Sequence, residues 1–311
     1  MIKNENIINV IKKEYSLDVT SIKCLQDGAD NFVFKIATPN KDFVFRISKR
    51  QKQPQDIEFE TSLACFLSKT TLPVAKVIST QAGAPFCIFD NKVSVLFDFC
   101  LGDTFALSPQ NKPSKKMAYN GGKILAKLHK ELQIFHQQYR NYGSRKLTSE
   151  FSRVIENKKE FQKKYIDAQN FLSQISDVLQ KTSAAEMNTI VHNDFRIQNI
   201  LIHKDDICAI LDFDWACEGN NLKDLAHALV EWSYPDGAKG YWEDIFYSFL
   251  DGYESEYGKI DRAQLKEWIS FACLSDTCTY LMDLLEEISE PMEIKSYMYR
   301  KYLFFKAQDI K

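Results

Sequence analysis

The residues with the clearest chemical potential lie in the stretch HNDFRIQNIL, which runs from His192 to Leu201. Asp212 follows eleven residues later, in LDFDWA. Asp194 can accept a hydrogen bond from a hydroxyl group and direct its oxygen at a phosphorus atom. Asn199 and Asp212 offer an amide oxygen and a carboxylate, which are ligands that Mg²⁺ prefers. The spacing therefore predicts phosphoryl transfer from a magnesium-bound nucleotide to a hydroxyl acceptor, with Asn199 and Asp212 holding the metal.

A predicted β-hairpin would position these side chains. The segments NILIH and ICAILDF read as two short strands joined by a turn at residues 204–206. Asn199 stands where the loop enters the first strand, and Asp212 is expected to end the second. Polar residues near hairpin ends also cap ordinary turns. The combined H-x-D-x4-N and D-F-D pattern favours the metal site over that alternative.

Arg196, two residues after Asp194, has two possible roles that the sequence leaves open. It can clamp the transferring phosphate as a cation, or it can brace the loop at the surface. His192 is expected to be structural, because Asp194 already fills the role of the base.

Arg46 and Glu60 form a second candidate group, predicted from strand and helix periodicity. In FVFRIS, Arg46 shares a strand face with Val44 and Ser48, which suits contact with phosphate oxygens. Glu60 falls on the apolar face of the helix that follows, whereas Glu58 falls on the solvated side. A carboxylate on a buried face needs a cation. We therefore expect an ion pair between Arg46 and Glu60, with an exposed sheet arginine as the alternative.

Two backbone segments are candidates for contact with a nucleotide. The turn Asp27–Asn31 carries Gly28, Asp30 and Asn31, and its N–H groups could contact phosphates. An ordinary tight turn would have the same sequence. Backbone groups of Asp98, Phe99 and Cys100 could bond an adenine ring, although a plain edge strand would look the same.

The distribution of strand and helix patterns predicts an α+β chain with two lobes. Residues 1–100 read as a small antiparallel β-sheet with one inserted helix, and residues 113–311 as mainly helical, joined by a connector at about 97–112. Strands are expected at 18–26, 31–37, 42–48, 74–79, 86–90 and 93–99. Helices are expected at 1–15, 54–69, 114–133, 149–181, 222–233, 241–257, 261–288 and 293–307.

Composition narrows the class of protein. The 311 residues are 45% hydrophobic and 26% charged, as in an ordinary soluble globular protein. We see no signal peptide, no membrane-length apolar run and no nucleic-acid-binding tract. The eight cysteines form no CxxC pair and are expected to be reduced thiols in a cytoplasmic protein. The number of copies is left open between monomer and homodimer.

Charge is divided unevenly along the chain. Residues 205–311 hold 22 acidic and 10 basic side chains, against 20 acidic and 30 basic in residues 1–204. Such a split suits an anionic nucleotide on one side and a cationic acceptor on the other. Charges that simply solvate helix surfaces would give the same count.

Together, these segments resemble the aminoglycoside phosphotransferase and choline kinase superfamily, small-molecule relatives of the protein kinases. The resemblance runs through GADNFVFKI, FVFRI, Glu60, LAKLH, HNDFRIQNIL, LDFDWA and DLAHAL, in the family's order. It implies a protein-kinase-like fold with ATP bound between two lobes, Asp194 as catalytic aspartate, and Asn199 and Asp212 as magnesium ligands. It also implies that Arg46 fills the position of the family's strand-three lysine. Asn193 replaces the glycine of the usual H-G-D motif.

The acceptor stays open within this resemblance. The segment DFDWACEGNNLKDLAHALVEW is similar to type II homoserine kinases, whereas the acidic C-terminal half also fits an aminoglycoside or a choline-like amino alcohol. GTP is an open alternative to ATP. A pseudokinase that only binds nucleotide or a partner is the rival function. A protein kinase is disfavoured because the run from Asp212 to Asp224 is only twelve residues long.

Overall fold

The computed structural model describes residues 2–28 and 30–310. The chain divides into two compact units. The first unit comprises Met1–Asp103, Asn141–Ser144 and Cys208–Leu211. The second comprises Thr104–Arg140, Arg145–Ile207 and Asp212–Lys311.

An antiparallel sheet with two helices forms the first unit. Its strands occur in the order β1-β2-β3-β6-β4, and β5 pairs with β6. The predicted bounds of β2 and β3 are confirmed. The elements are α1 (Asn4–Tyr15), β1 (Ser21–Asp27), β2 (Asn31–Ala37), β3 (Asp42–Ser48), α2 (Pro54–Leu67), β4 (Val77–Ile78), β5 (Cys87–Phe89) and β6 (Lys92–Asp98).

Alternation of buried and half-buried side chains over residues 42–47 defines the two faces of β3. In β3, Phe43, Phe45 and Ile47 are buried, while Arg46 between them is only half-buried. Successive side chains of a strand point to opposite faces of the sheet, so residues at every second position share one face. The buried face packs against α1, whose residue Ile7 belongs to the same hydrophobic cluster.

Helices dominate the second unit. The first of them, α3, begins where the Ser114 hydroxyl accepts a hydrogen bond from the Met117 N–H at 3.0 Å. The helices are α3 (Lys115–Gln138), α4 (Ser149–Glu156), α5 (Lys158–Lys164), α6 (Ala168–Thr182), α7 (Asn221–Ser233), α8 (Glu243–Tyr257), α9 (Arg262–Asp283) and α10 (Tyr297–Lys306).

The prediction of one helix over 149–181 is wrong, because the segment breaks twice. Helix α4 ends at Glu156, where the Asn157 side chain donates to the Arg153 carbonyl oxygen at 2.8 Å. Tyr165 then takes an extended conformation, is buried, and donates its hydroxyl to the Leu281 carbonyl oxygen at 3.0 Å. Tertiary contacts of this kind override local helix propensity.

Short strands surround the candidate catalytic residues. They are β7 (Asp103–Thr104), β8 (Thr189–Val191), β9 (Ile200–His203), β10 (Asp206–Ile210) and β11 (Cys217–Gly219). The predicted hairpin is present as β9 and β10, while β8 pairs with β11. Asp212 lies two residues beyond β10 with φ of +64°, so it follows the strand rather than ending it.

Helices α3 and α8 approach each other closely through two glycines. A Cβ atom on Gly122 would lie 1.8 Å from the Phe249 carbonyl oxygen. One on Gly252 would lie 2.0 Å from the Tyr119 carbonyl oxygen. Any larger residue at either position would push the two backbones apart.

Within residues 2–28 and 30–310, no helix is long and apolar enough to cross a membrane.

Candidate active site

The loop between β8 and β9 carries Asp194 and Asn199. A short 3₁₀ turn over Ile197–Asn199 brings the two side chains together. The Asn199 amide nitrogen donates to the Asp194 carboxylate at 2.7 Å and to the Asp194 carbonyl oxygen at 3.0 Å. The loop thus fixes the orientation of the predicted base through its own asparagine.

Asp224, in the first turn of α7, anchors the start of this loop. Its carboxylate accepts the backbone N–H groups of His192 and Asn193, each at 2.8 Å. The buried His129 ring lies 3.0 Å from the same carboxylate through Nε2. Burial opposes ionisation, but His129, His192 and Lys223 together lower the pKa of Asp224 well below its usual range. Asp224 is therefore a buried anion that holds the loop backbone.

Asn193 is held in an unusual backbone conformation by a buried lysine. Its φ is +65°, in the left-handed region that favours glycine. The Lys223 ammonium donates a hydrogen bond to the Asn193 side-chain oxygen. Lys223 is only 1% exposed, so this bond gives a buried cation an acceptor. No local pattern in the sequence predicts this pair.

His192 has the structural role that the sequence suggested. Its ring is buried, and Nδ1 accepts the Asp194 N–H at 3.3 Å. The histidine thereby braces the residue that carries the candidate base.

The donor set at Asn199 and Asp212 fits a hard divalent cation. Both hydrogen-bonding directions of the Asn199 nitrogen are used by Asp194, so its amide oxygen is the atom left for a metal. Asp212 adds carboxylate oxygens. Amide and carboxylate oxygens suit Mg²⁺, whereas no sulfur or imidazole ligand is needed.

Arg196 lies beside Asp194. Its Nε is 3.3 Å from an Asp194 carboxylate oxygen, and its side chain is 41% exposed. Burial opposes its charge, but Asp194 and Glu231 raise the pKa of Arg196. The arginine remains cationic next to the candidate base, and both of its predicted roles are compatible with this position.

Burial raises the pKa of the Asp194 carboxyl above its usual range, although Arg196, His227 and His192 partly counteract it. The Asp194 side chain is 14% exposed. A carboxylate with a raised pKa binds a proton more readily than an ordinary aspartate. This property suits a group that receives a hydroxyl proton.

The turn before β2 is held by two cationic side chains. The Lys49 ammonium donates to the Gly28 carbonyl oxygen at 2.5 Å, and the Lys49 N–H donates to the Asp30 carbonyl oxygen at 2.8 Å. Arg50 pairs with the Asp30 carboxylate at 2.6 Å, while Asn31 begins β2. Ala29, part of the predicted phosphate-covering turn, lies outside the described residues. Contact of Gly28, Asp30 and Asn31 with phosphate stays a prediction.

Arg46 and Glu60 both lie in the first unit. The Arg46 guanidinium is 5.5 Å from the centre of the Phe97 ring. The Glu60 carboxylate lies 2.5 Å from the Lys52 ammonium, a cation that the sequence reasoning overlooked. The ion pair between Arg46 and Glu60 stays a prediction.

The end of β6 carries the residues proposed to bind adenine. The Asp98 N–H donates to the Lys76 carbonyl oxygen at 2.9 Å, and the Phe99 N–H donates to the Asp42 carbonyl oxygen at 3.3 Å. Any adenine contact from Asp98 or Phe99 would thus use their carbonyl groups. At Cys100, burial raises the pKa of the thiol, so the group is uncharged at neutral pH. Contact of Asp98, Phe99 and Cys100 with a nucleotide stays a prediction.

Comparison with known proteins gives the family. Residues 21–268 match the profile described as the phosphotransferase enzyme family. A homoserine kinase of Zymomonas mobilis subsp. mobilis is 23% identical over 241 residues, covering 76% of this chain and 72% of that protein. A homoserine kinase of Neisseria meningitidis serogroup B is 23% identical over 239 residues, covering 76% and 74%.

Solved structures give the fold. An amicoumacin kinase in complex with AMP-PNP, Ca²⁺ and its ligand superposes with a TM-score of 0.71 at 16% identity, covering 98% of this chain and 92% of that one. A thermostable aminoglycoside phosphotransferase mutant, in a ternary complex with AMP-PNP and hygromycin B, gives 0.69 at 13% identity, covering 97% and 99%. The predicted α+β, kinase-like fold class is confirmed.

Proposed function

The chain belongs to the phosphotransferase enzyme family, and we propose that it transfers the γ-phosphoryl group of ATP to a hydroxyl group of a small, amine-bearing molecule. The observation that carries the proposal is the hydrogen bond of 2.7 Å between the side chains of Asn199 and Asp194. The loop that carries both residues is held by the buried Asp224 of α7. Phosphoryl transfer depends mainly on positioning and charge neutralisation, and this loop is built for positioning.

Each loop residue has a distinct role in this proposal. Asp194 accepts the hydrogen of the acceptor hydroxyl and orients its oxygen. Arg196 neutralises negative charge next to Asp194. The Asn199 oxygen and the Asp212 carboxylate would hold Mg²⁺, which neutralises charge on the phosphates when bound. Asp224 keeps the loop backbone in place through its bonds to His192 and Asn193.

The proposed nucleotide is ATP rather than GTP, since two of the superposed structures contain AMP-PNP. We propose that residues of the first unit contact it. Gly28, Asp30 and Asn31 would contact the phosphates. Arg46 would supply a positive charge to them and pair with Glu60. Backbone groups of Asp98, Phe99 and Cys100 would contact the adenine ring.

The acceptor is proposed to be homoserine, a choline-like amino alcohol or an aminoglycoside. The names of the two sequence relatives favour homoserine, while those of the superposed structures favour antibiotics. All three classes combine a hydroxyl group with an amine.

The test is ATP consumption by the purified protein with Mg²⁺ and a panel containing L-homoserine, choline, ethanolamine and several aminoglycosides. We expect one class to stimulate turnover. Asp194→Asn should lower kcat by roughly 10²–10⁴-fold, the usual contribution of a general base. Calorimetric affinity for AMP-PNP should be retained. Asp309→Asn, an exposed aspartate of the same unit, is the matched control.

Two results would overturn the proposal. Full activity of Asp194→Asn would show that another group receives the proton. Binding of AMP-PNP without turnover of any panel member would instead identify a pseudokinase.

A further inference from the structure

Trp232 of α7 donates a hydrogen bond to the loop that carries Asp194. Its indole N–H lies 3.2 Å from the carbonyl oxygen of Phe195. Phe195 follows Asp194 directly and precedes Arg196. Trp232 and Phe195 are both fully buried. Because a buried carbonyl group is costly to leave without a donor, this bond fixes the peptide group that joins Phe195 to Arg196.

The carbonyl groups on either side of Phe195 are bonded within the loop itself. The Asp194 carbonyl oxygen accepts the Arg196 N–H at 2.9 Å and the Asn199 side-chain amide at 3.0 Å. The Arg196 carbonyl oxygen accepts the Asn199 N–H at 2.9 Å. The Phe195 carbonyl oxygen is bonded from α7 instead. Trp232 thus attaches a turn with its own internal bonds to a long helix.

Aromatic packing and a glycine hold the indole ring in place. The Trp232 ring is parallel to that of Phe195 within 13°, with centroids 6.2 Å apart, and its centroid lies 5.1 Å from that of Phe249 on α8. On α3, a Cβ atom on Gly121 would lie 2.7 Å from the Trp232 Cη2 atom. An indole enclosed in this way keeps its N–H directed at one carbonyl oxygen.

Helix α7 holds the same loop at a second point, eight residues earlier in the helix. The Asp224 carboxylate accepts the N–H groups of His192 and Asn193 at 2.8 Å each. Eight residues of an α-helix span about 12 Å. The helix therefore provides an acceptor at the start of the loop and a donor further along it. Asp194 stands in the sequence between two residues that α7 holds, Asn193 and Phe195.

We propose that Trp232 is a positioning residue for phosphoryl transfer, which fixes Asp194 and Arg196 through the Phe195 carbonyl group. The inference rests on the proposed function and adds to it a residue that acts only through others. A misplacement of about 1 Å can lower a rate by about a hundredfold. Loss of the indole N–H should therefore lower kcat, while the affinity for nucleotide is retained.

The substitution Trp232→Phe removes the donor and keeps an aromatic ring beside Phe195 and Phe249. With ATP and the panel member of highest turnover, kcat should fall about tenfold to a hundredfold. The calorimetric affinity for AMP-PNP should not change. Trp268→Phe, which replaces another buried tryptophan of the same unit, is the matched control and should retain kcat.

A second comparison separates positioning from a general loss of packing. In an Asp194→Asn background, Trp232→Phe should cause a much smaller further loss of kcat, because the main group that it positions is already absent. If Trp232→Phe is unfolded in a thermal melt, Gly121→Ala provides the same comparison. Its Cβ would displace the indole ring, and its expected fall in kcat is smaller.

Hydrogen exchange measured by mass spectrometry keeps this test separate from turnover. Peptides covering residues 192–201 should exchange faster in Trp232→Phe than in Trp268→Phe. Faster exchange without turnover of any panel member would support the attachment of the loop by Trp232 and reject the proposed function alone.

Three results would overturn the positioning role. One is an unchanged kcat of Trp232→Phe. Another is an equal fold loss of kcat in the wild-type and Asp194→Asn backgrounds. The third is unchanged hydrogen exchange of residues 192–201 in a protein that turns over no acceptor.

Discussion

The bond between Lys223 and Asn193 should be visible as an energetic coupling between the two residues. The perturbation is a double-mutant cycle of Asn193→Gly, Lys223→Met and the combined variant. Glycine removes the side-chain acceptor and suits the left-handed φ of +65°. Methionine removes the buried charge while nearly conserving the volume that the lysine fills.

The expected magnitudes follow from burial. Asn193→Gly relieves roughly 1 kcal/mol of backbone strain, but it leaves a buried ammonium without its acceptor, a loss of about 3–5 kcal/mol. We therefore expect a net loss of about 2–4 kcal/mol in the free energy of unfolding. Lys223→Met should cost about 1–2 kcal/mol, because one side-chain oxygen loses a charged donor. The combined variant should be more stable than the sum of both losses predicts, by about 2–3 kcal/mol.

Urea denaturation of the four proteins measures this coupling, and kcat of the same proteins reports the position of Asp194. We expect kcat to fall in both single variants and to recover partly in the combined one. Additivity of the unfolding free energies to within about 0.5 kcal/mol would refute the reasoning. It would mean that the loop between β8 and β9 keeps its backbone conformation without this bond.

Two further changes test the packing of the second unit. Burial opposes ionisation of Glu254, but Arg262 and Lys259 lower its pKa to about 2, so Glu254→Gln should cost up to about 3 kcal/mol at pH 7. Because the folded-state pKa is depressed, the difference in unfolding free energy between this variant and the wild type should be complete above about pH 5. It should vanish as the pH falls toward 2. A difference that does not depend on pH in chemical denaturation would contradict this expectation. Gly122→Ala should lower the melting temperature sharply, since its Cβ would lie 1.8 Å from the Phe249 carbonyl oxygen; an unchanged melting temperature would disprove this close contact.

Local patterns were sufficient to predict the sheet of the first unit and the hairpin of β9 and β10. In β3 every second residue from Phe43 is apolar and buried, so the period alone fixes the element and its faces. The spacing of Asp194 and Asn199 is likewise local, and their hydrogen bond at 2.7 Å agrees with it. Features that depend on neighbours within about ten residues were accessible from the sequence.

Contacts between residues that are far apart in the chain could not be predicted from the sequence. Lys223, His227 and Glu231 look like ordinary helix charges, and their partners stand 30, 49 and 70 positions away. The break at Tyr165 depends on Leu281 in the same way. The three-residue strands β8 and β11 are too short to show any period. Tertiary contacts, rather than local propensity, determine these parts.

The burial of α7 has a consequence for how the enzyme acquires and loses activity. All of its residues except Leu222 are buried, and they include the charged groups, Lys223 and Asp224, that hold the loop between β8 and β9. A helix without a solvent-facing side gains no stability until α3, α8 and α9 surround it, and hydration of its charges favours opening them all together. The loop between β8 and β9 should therefore become ordered together with the packing of α3, α8 and α9 around α7, and should be lost when that packing is lost. Activity should then report complete folding of the second unit more faithfully than helix content does.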